Sequence, residues 1–211
     1  MDFLSYNEEE DRWLWTLSAN GKFSSKVLSD LVRSKLIASR VTGLETLRNN
    51  FVPKKVGIFI WQALKGRLPV LSELDKRGID LHSVLCPICE KEIETVQHAL
   101  FQCEKSKEVW DKTHKWFDMV CATLDSSKAF RVNSSFQTSN IGLKIWQAIE
   151  WTCGYLIWKN RNKVVFKKLC WNPPLALNEI QVKSFEWIAK RCKSKSIEWH
   201  SWLTNPKCIV I

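Results

Sequence analysis

The sequence predicts a mainly α-helical fold with an N-terminal β-hairpin and a small Cys-Cys-His-Cys site. Three observations predict it. Apolar residues recur at helical spacing along most of the chain. Trp13, Trp15 and Leu17 alternate with other residues, and Asn20-Gly21, a strong turn signal, follows them. Three cysteines and one histidine crowd into residues 86–103, the spacing expected of side chains that share one metal ion.

Composition bounds the class of protein. The chain has 211 residues, 45% of them hydrophobic, which suits one large domain or two small ones and excludes wholesale disorder. The acidic start, MDFLSYNEEED, lacks the order of a secretory signal, and the longest apolar run, VGIFIWQAL, is too short to span a bilayer. We therefore expect an intracellular protein, nuclear or cytoplasmic and neither secreted nor transmembrane, whose eight cysteines are thiols or metal ligands.

The first half of the chain is predicted to combine one hairpin with short helices. Its elements are a hairpin over 12–23, a helix capped by Ser24, a loop over 37–50, a helix begun by Pro53 and ended by Leu68-Pro69, and a helix over 70–77 that stops at Gly78. Proline suits the first turn of a helix because it lacks an N–H, and glycine suits the end of one because it tolerates positive φ.

The second half is predicted to contain longer helices. Its elements are a helical stretch over 95–119, a Ser- and Thr-rich linker over 124–140, a helix over 142–168, a break at Asn172-Pro173-Pro174 and a helix over 175–193. The helix over 142–168 has a wide apolar arc and should be a central core element. The predicted organisation is thus a first domain over 1–123, the linker over 124–140, and a basic helical region over 141–211. Several of the twelve tryptophans should be buried.

The strongest motif is LCPICEKEIETVQHALFQC, which contains Cys86, Cys89, His98 and Cys103. A C-x-x-C turn can direct two thiolates at one ion, and a second pair completes a tetrahedron, as in a structural Zn²⁺ site. The separation of His98 and Cys103 is wide for a regular helix, so a local distortion is expected there. Two alternatives stay open. Cys86 and Cys89 could be core or redox thiols, and His82 could replace His98 as a ligand.

The order of motifs resembles the zinc-binding domain that follows the polymerase domain in plant LINE-type, non-LTR retrotransposon reverse transcriptases. The resemblance covers about residues 11–117 and rests on DRWLWTLSANGKFSSK, VPKKVGIFIWQALKGRLPV, ELDKRGI, LCPIC, ETVQHALFQC and EVW. A looser likeness to the tail of plant retroelement copies extends over 141–206.

The resemblance implies that Cys86, Cys89, His98 and Cys103 are the metal ligands. It also implies that Trp61 and Trp110 pack in the core, and that Phe51 replaces a tryptophan the family usually has before VPKK. The catalytic chemistry of the family is not expected here, because a polymerase palm needs paired aspartates and the chain has no Asp-Asp pair. We expect a non-catalytic module detached from the polymerase domain.

Positive charge predicts the partner. The net charge is +10, and residues 159–195 hold ten basic and two acidic side chains. Such clusters can follow a phosphate backbone. The candidate nucleic-acid-binding residues are Lys54, Lys55, Arg67, Lys159, Arg161, Lys163, Lys167 and Lys168. Trp158, Phe166 and Trp171 lie among them, and an exposed one could stack on a base, although burial is the commoner fate of such side chains.

Two functions are compatible with these patterns. In the first, the chain is an accessory module that binds RNA or DNA, with a reverse transcriptase as a possible partner in trans. In the second, it is a structural or protein-interaction domain, a transposon relic in which zinc only holds the fold. Neither needs a small-molecule substrate or a membrane.

Overall fold

A computed structural model describes residues 15–18, 20–32, 49–118, 130, 140–192, 196–204 and 206. The chain forms two compact units, 1–46 and 47–211. Within the described ranges the secondary structure is helical, and the one pairing of extended segments is an isolated antiparallel bridge between Leu85 and Ile93. The predicted mainly α fold is therefore confirmed for this part of the chain.

The described residues of the first unit, 15–18 and 20–32, form a tight turn and one helix. The backbone N–H of Trp15 donates to the carbonyl of Gly21 over 2.8 Å, and Gly21 has a φ of 65°. Helix α1, Ser25–Val32, follows, and the Ser24 hydroxyl accepts the N–H of Val27 at 3.4 Å, which confirms the predicted cap.

The predicted β-hairpin over 12–23 is not supported. Its described residues, 15–18 and 20–23, form a turn without a strand, and the others lie outside the described residues. The side chains of Trp15 and Phe23 meet edge to face, with ring centroids 4.8 Å apart. The turn at Asn20-Gly21 is present, but a turn alone does not produce two paired strands.

The second unit is a helical assembly. Its elements are α2 (Lys54–Leu64), α3 (Leu71–Lys76), a π-helical turn (His98–Gln102), α4 (Glu104–Trp116), α5 (Asn140–Lys167), α6 (Pro173–Ala189) and α7 (Trp199–Thr204). Proline 53 caps α2 instead of opening it, and Gly78, with a φ of 76°, lies just beyond α3 as expected. The Asn172 side chain accepts the N–H of Leu175 at 3.0 Å and so caps α6.

Helix α5 is the central core element, as predicted. Its buried side chains include Ile149, Trp151 and Ile157. The ring of Tyr155 lies 5.5 Å from that of Phe59 on α2 and 6.3 Å from that of Trp187 on α6. A helix covered by neighbours on several sides needs apolar residues around most of its circumference, which explains the wide apolar arc.

The predicted linker over 124–140 is described only at Phe130 and Asn140. Phe130 is fully buried, and its carbonyl accepts the indole N–H of Trp151 at 3.1 Å. The predicted division of the chain at this segment stays a prediction, although residues from both sides of it share one hydrophobic core.

The aromatic residues singled out in the sequence have different environments. Trp110, Trp151 and Trp202 are fully buried, which confirms that several tryptophans belong to the core. Trp61 is only half-buried, and the guanidinium of Arg67 lies 5.1 Å from its ring centroid. Phe51 is half-buried and packs against the core. None of the helices described is long and apolar enough to cross a membrane.

Candidate metal centre

The C-x-x-C segment forms a closed loop. The bridge between Leu85 and Ile93 holds its base, where the N–H of Cys86 donates to the carbonyl of Glu92 at 2.7 Å. The N–H of Glu90 returns to the carbonyl of Cys86 at 2.8 Å, and Glu90 has a φ of 56°. This tight path turns the side chains of Cys86 and Cys89 towards the same point.

The second pair of side chains comes from a distorted helical turn. The Thr95 hydroxyl accepts the N–H of His98 at 3.0 Å, and the N–H of Cys103 donates to the carbonyl of His98 at 2.8 Å. That bond spans five residues, as in a π-helix, and replaces the four-residue bond of an α-helix. The expected distortion between His98 and Cys103 is thus confirmed. Cys103 then leaves helical geometry and precedes α4.

The structure brings all four predicted ligands together. The ligand atoms of Cys86, Cys89, His98 and Cys103 lie within 4.8 Å of one another. The sulfur of Cys89 is 3.3 Å from Nε2 of His98. Ordinary zinc bond lengths in a regular tetrahedron place neighbouring ligand atoms about 3.6 to 3.8 Å apart, so the cluster fits an ion of that size.

Burial and ligand chemistry also suit a structural site. Cys86 and Cys103 are fully buried, His98 is 4% exposed, and Cys89 is half-buried. Thiolate and imidazole ligands favour Zn²⁺ over the hard cations that bind oxygen. His82, the alternative ligand, is exposed and lies outside the cluster.

Electrostatics within the cluster favour at least one thiolate. The hydrogen bond with Cys86 lowers the pKa of Cys103 to about 5. The same contact, followed by burial, raises the pKa of Cys86. Around the cluster, the Glu92 carboxylate lies 3.2 Å from Nδ1 of His98, a position from which it can orient the imidazole. At the surface, Nζ of Lys91 lies 2.9 Å from Oε2 of Glu104, and this ion pair connects the loop to α4.

A buried ion pair joins the metal loop to α5. Glu94, which follows the loop, accepts the Nε–H of Arg161 at 2.7 Å and a second bond from its Nη2. Its Oε2 also accepts the N–H of Leu71 at 2.9 Å. Both charged side chains are almost fully buried. Sequence reasoning missed Glu94, because nothing in the run EKEIET distinguishes the one buried acid from its exposed neighbours.

Arg161 is therefore a correction to the predicted nucleic-acid-binding set. It is only 2% exposed, its guanidinium is occupied by Glu94, and it lies 4.9 Å from the ring centroid of Trp158. Trp158 is buried as well, so neither can contact a ligand at the surface. The position of Arg161 on α5, two residues after the exposed Lys159, gives no sign in the sequence that it faces inward.

The other predicted basic residues lie at the surface. The exposed ones are Lys54, Lys55, Arg67, Lys159, Lys167 and Lys168. Lys163 is half-buried and paired with Glu179 at 2.7 Å. Of the remaining aromatic candidates, Trp171 is half-buried and Phe166 is 77% exposed.

Comparison with known proteins agrees with this geometry. Residues 23–110 match the zf-RVT family, described as zinc-binding in reverse transcriptase. The matched segment includes all four residues of the cluster and ends at Trp110. No curated protein matches the chain, and no solved structure does. The matched region is therefore similar to the zinc-binding domain of reverse transcriptases, and it carries a site that could hold a metal.

Proposed function

We propose that the chain is a non-catalytic, zinc-binding module that binds nucleic acid as an accessory to a reverse transcriptase, derived from a plant LINE-type retrotransposon. It would act in the nucleus or cytoplasm, with the polymerase as a possible partner in trans. One observation carries the nucleic-acid part of the proposal. Lys159, Lys167 and Lys168 are exposed on and just beyond the C-terminal part of α5. The nearby Glu179 carboxylate is bonded to Lys163, although the charge of Lys159 also acts on it.

The ligand set supports a structural role for the metal. Cys86, Cys89, His98 and Cys103 would hold Zn²⁺ in a closed tetrahedron with no position for water or substrate. When bound, the ion would neutralise the thiolates and fix the loop against the π-helical turn. The chain's own contribution is to bury the ligands and to anchor the loop to α5 through Glu94 and Arg161.

Charge distribution supports a nucleic-acid surface on α5 rather than on the acidic segment that includes the metal loop. Residues 70–95 carry six acidic and three basic side chains, in a chain whose net charge is +10. Phosphates would be repelled by segment 70–95 and attracted by the lysines in the C-terminal part of α5. On this proposal zinc acts at a distance, by holding the loop on which α5 packs.

A salt titration tests the proposal. The triple variant Lys159→Gln/Lys167→Gln/Lys168→Gln should bind a fluorescein-labelled oligonucleotide more weakly than the unchanged protein in fluorescence anisotropy. Its slope of log affinity against log salt should be shallower by about 2 to 3, because three phosphate contacts are lost. The matched control is Lys105→Gln/Lys107→Gln/Lys115→Gln, which removes the same charge from exposed positions on α4. Equal binding by both triple variants would contradict the proposal.

The second candidate function is a protein-interaction domain, and one observation favours it. Leu85 and Ile93 are bridge partners, are 42% and 55% exposed, and lie on the acidic loop. An exposed apolar pair with an acidic surround suits a partner protein better than a phosphate backbone. A protein that keeps its zinc-dependent fold but binds no oligonucleotide at low salt would favour this function.

A further inference from the structure

The C-terminal end of α5 exposes an aromatic ring that the fold does not use. Phe166 is 77% exposed, the highest value among the large apolar side chains that the structure describes. It makes no ring contact with another aromatic residue of the described ranges. The last turn of a helix has no need of an exposed phenyl ring, since neighbouring lysines already favour its negative end.

Lysines surround this ring. Lys159, Lys163, Phe166 and Lys167 share one face of α5, at offsets of zero, four, seven and eight residues. Lys163 is held by Glu179, whereas Lys159 and Lys167 are exposed. Lys168 follows, with a φ of 51° that ends the helix and adds another exposed charge beside the ring. The ring therefore has an exposed positive charge two turns before it, at Lys159, and two directly after it, at Lys167 and Lys168.

This combination selects among polyanions. A lysine attracts phosphate in duplex and single strand alike, but a phenyl ring can stack only on a base whose face is free. A duplex covers its base faces by stacking, so the ring would meet only backbone there. A surface with both groups gains most from an unpaired strand, which offers phosphates and free base faces together.

We propose that Phe166 is a base-stacking residue and that the ligand of this surface is single-stranded nucleic acid. The inference rests on the proposed function and makes it specific. Lys159, Lys167 and Lys168 supply charge that any nucleic acid would use, and Phe166 supplies the preference for unpaired bases.

The test separates stacking from charge on both sides of the interface. The protein variants are Phe166→Ala, Phe166→Leu and Phe166→Trp, because leucine keeps apolar bulk without a π face and tryptophan restores one. The ligands are a labelled twelve-nucleotide dT oligomer, the same oligomer with central abasic sites, and a duplex of equal length. Zinc content and thermal melting of each variant check the fold.

The proposal expects Phe166→Ala and Phe166→Leu to weaken binding of the dT oligomer by about tenfold, as loss of one stacked base does. Phe166→Trp should bind at least as well as the unchanged protein. The abasic oligomer and the duplex should bind all four proteins alike. Neither alanine nor leucine should shift the melting temperature, since the ring is exposed.

Three results would overturn it. If every ligand binds equally well whichever residue stands at position 166, the surface binds by charge alone, and the proposed function is intact. No binding of any ligand at low salt would remove the proposed function together with the inference. Sedimentation with phosphatidylserine vesicles that depends on Phe166 and is retained by Phe166→Leu, without oligonucleotide dependence, would identify an anionic membrane as the ligand.

Discussion

The ion pair between Glu94 and Arg161 is the residue-scale contact on which the metal loop depends. Burying two charges is costly, and the cost is offset only when every polar atom finds a partner. Here the carboxylate takes two bonds from the guanidinium and one from the N–H of Leu71. Trp158 covers the guanidinium face. Removing either charge leaves the other buried without its counterion.

Arg161→Met should therefore destabilise the protein by about 3 to 5 kcal/mol, measured as the free energy of unfolding in urea. Methionine replaces the aliphatic stem of arginine with an unbranched apolar chain, so the loss of free energy reflects mainly the missing guanidinium charge. Glu94→Gln/Arg161→Met is the matched control. It removes the stranded carboxylate while keeping an acceptor for Leu71, and it should recover a large part of the loss. A single variant that loses less than about 1 kcal/mol would show that the pair contributes little.

His114 makes stability depend on pH. It is 5% exposed, stacks on Trp110 with ring centroids 5.7 Å apart, and lies against the tilted ring of Trp146 at 5.5 Å. Burial lowers the pKa of His114, and the charge of Asp111 opposes that shift. In the unfolded chain the imidazole takes up a proton near pH 6.5, whereas the folded protein resists it. The contribution of the neutral imidazole to the free energy of unfolding is therefore present above about pH 6.5 and is lost as the pH falls.

His114→Leu should abolish this part of the pH dependence. Between pH 7.5 and pH 5.5 the free energy of unfolding should fall less in the variant than in the unchanged protein. Urea unfolding at the two pH values measures the difference, and the zinc ligands contribute equally to both proteins. An identical fall in both would mean that His114 is not held neutral by the fold.

At the residue scale, the sequence predicts the features that neighbouring residues determine. Cys86, Cys89, His98 and Cys103 are predicted as ligands because structural zinc sites commonly use closely spaced Cys and His residues, and the structure brings the four together. Glu94 and Arg161 are 67 residues apart in sequence and pair only through the tertiary fold. No local pattern could have distinguished Arg161 from the exposed lysines around it.

At the scale of elements, α5 packs closely against Phe130. A Cβ added at Gly154 would lie 2.7 Å and 2.8 Å from two ring atoms of Phe130. The Phe130 ring is held in place by its neighbours, with its centroid 5.1 Å from that of Phe101 and 6.4 Å from that of Trp110. The glycine therefore permits a close approach at the centre of a long helix, where alanine would otherwise be the better residue.

Gly154→Ala should destabilise the protein by about 1 to 3 kcal/mol, because the added methyl group overpacks a fixed core. Phe130→Leu removes the ring atoms that would clash. In that background Gly154→Ala should cost little or become stabilising, since helix propensity then dominates. Urea unfolding of the four proteins gives the coupling energy. An equal loss of stability with Phe130 and in the Phe130→Leu background would show that the added methyl group does not clash with the Phe130 ring.

The elements also show where sequence patterns were sufficient. Helices α2, α5 and α6 were predicted from periodicity and from Pro53, Asn172 and the residues beside them, because amphipathic spacing and caps are local. The hairpin over 12–23 failed for the opposite reason. A turn is encoded by two residues, but strands need pairing partners, and the described residues there pair only across the turn.

At the scale of the whole molecule, the metal loop and the basic surface are connected through one helix, α5. The acidic segment 70–95 contains Glu94, which pairs with Arg161 on α5, while Lys159, Lys167 and Lys168 are exposed on and just beyond the C-terminal part of that helix. Loss of metal should therefore act on both. It would first free the loop and Glu94, and then loosen the packing that presents the basic surface.

The central claim is that one zinc ion holds this fold. The most direct measurement is zinc per chain, by elemental analysis of protein purified under reducing conditions, followed by thermal melting. We predict one zinc per chain, and for Cys103→Ser a loss of both bound zinc and cooperative melting. The matched control, Cys170→Ser, changes an exposed cysteine outside the cluster and should keep both. A chain without zinc that melts cooperatively, or a Cys103→Ser variant with unchanged zinc and melting, would contradict the claim.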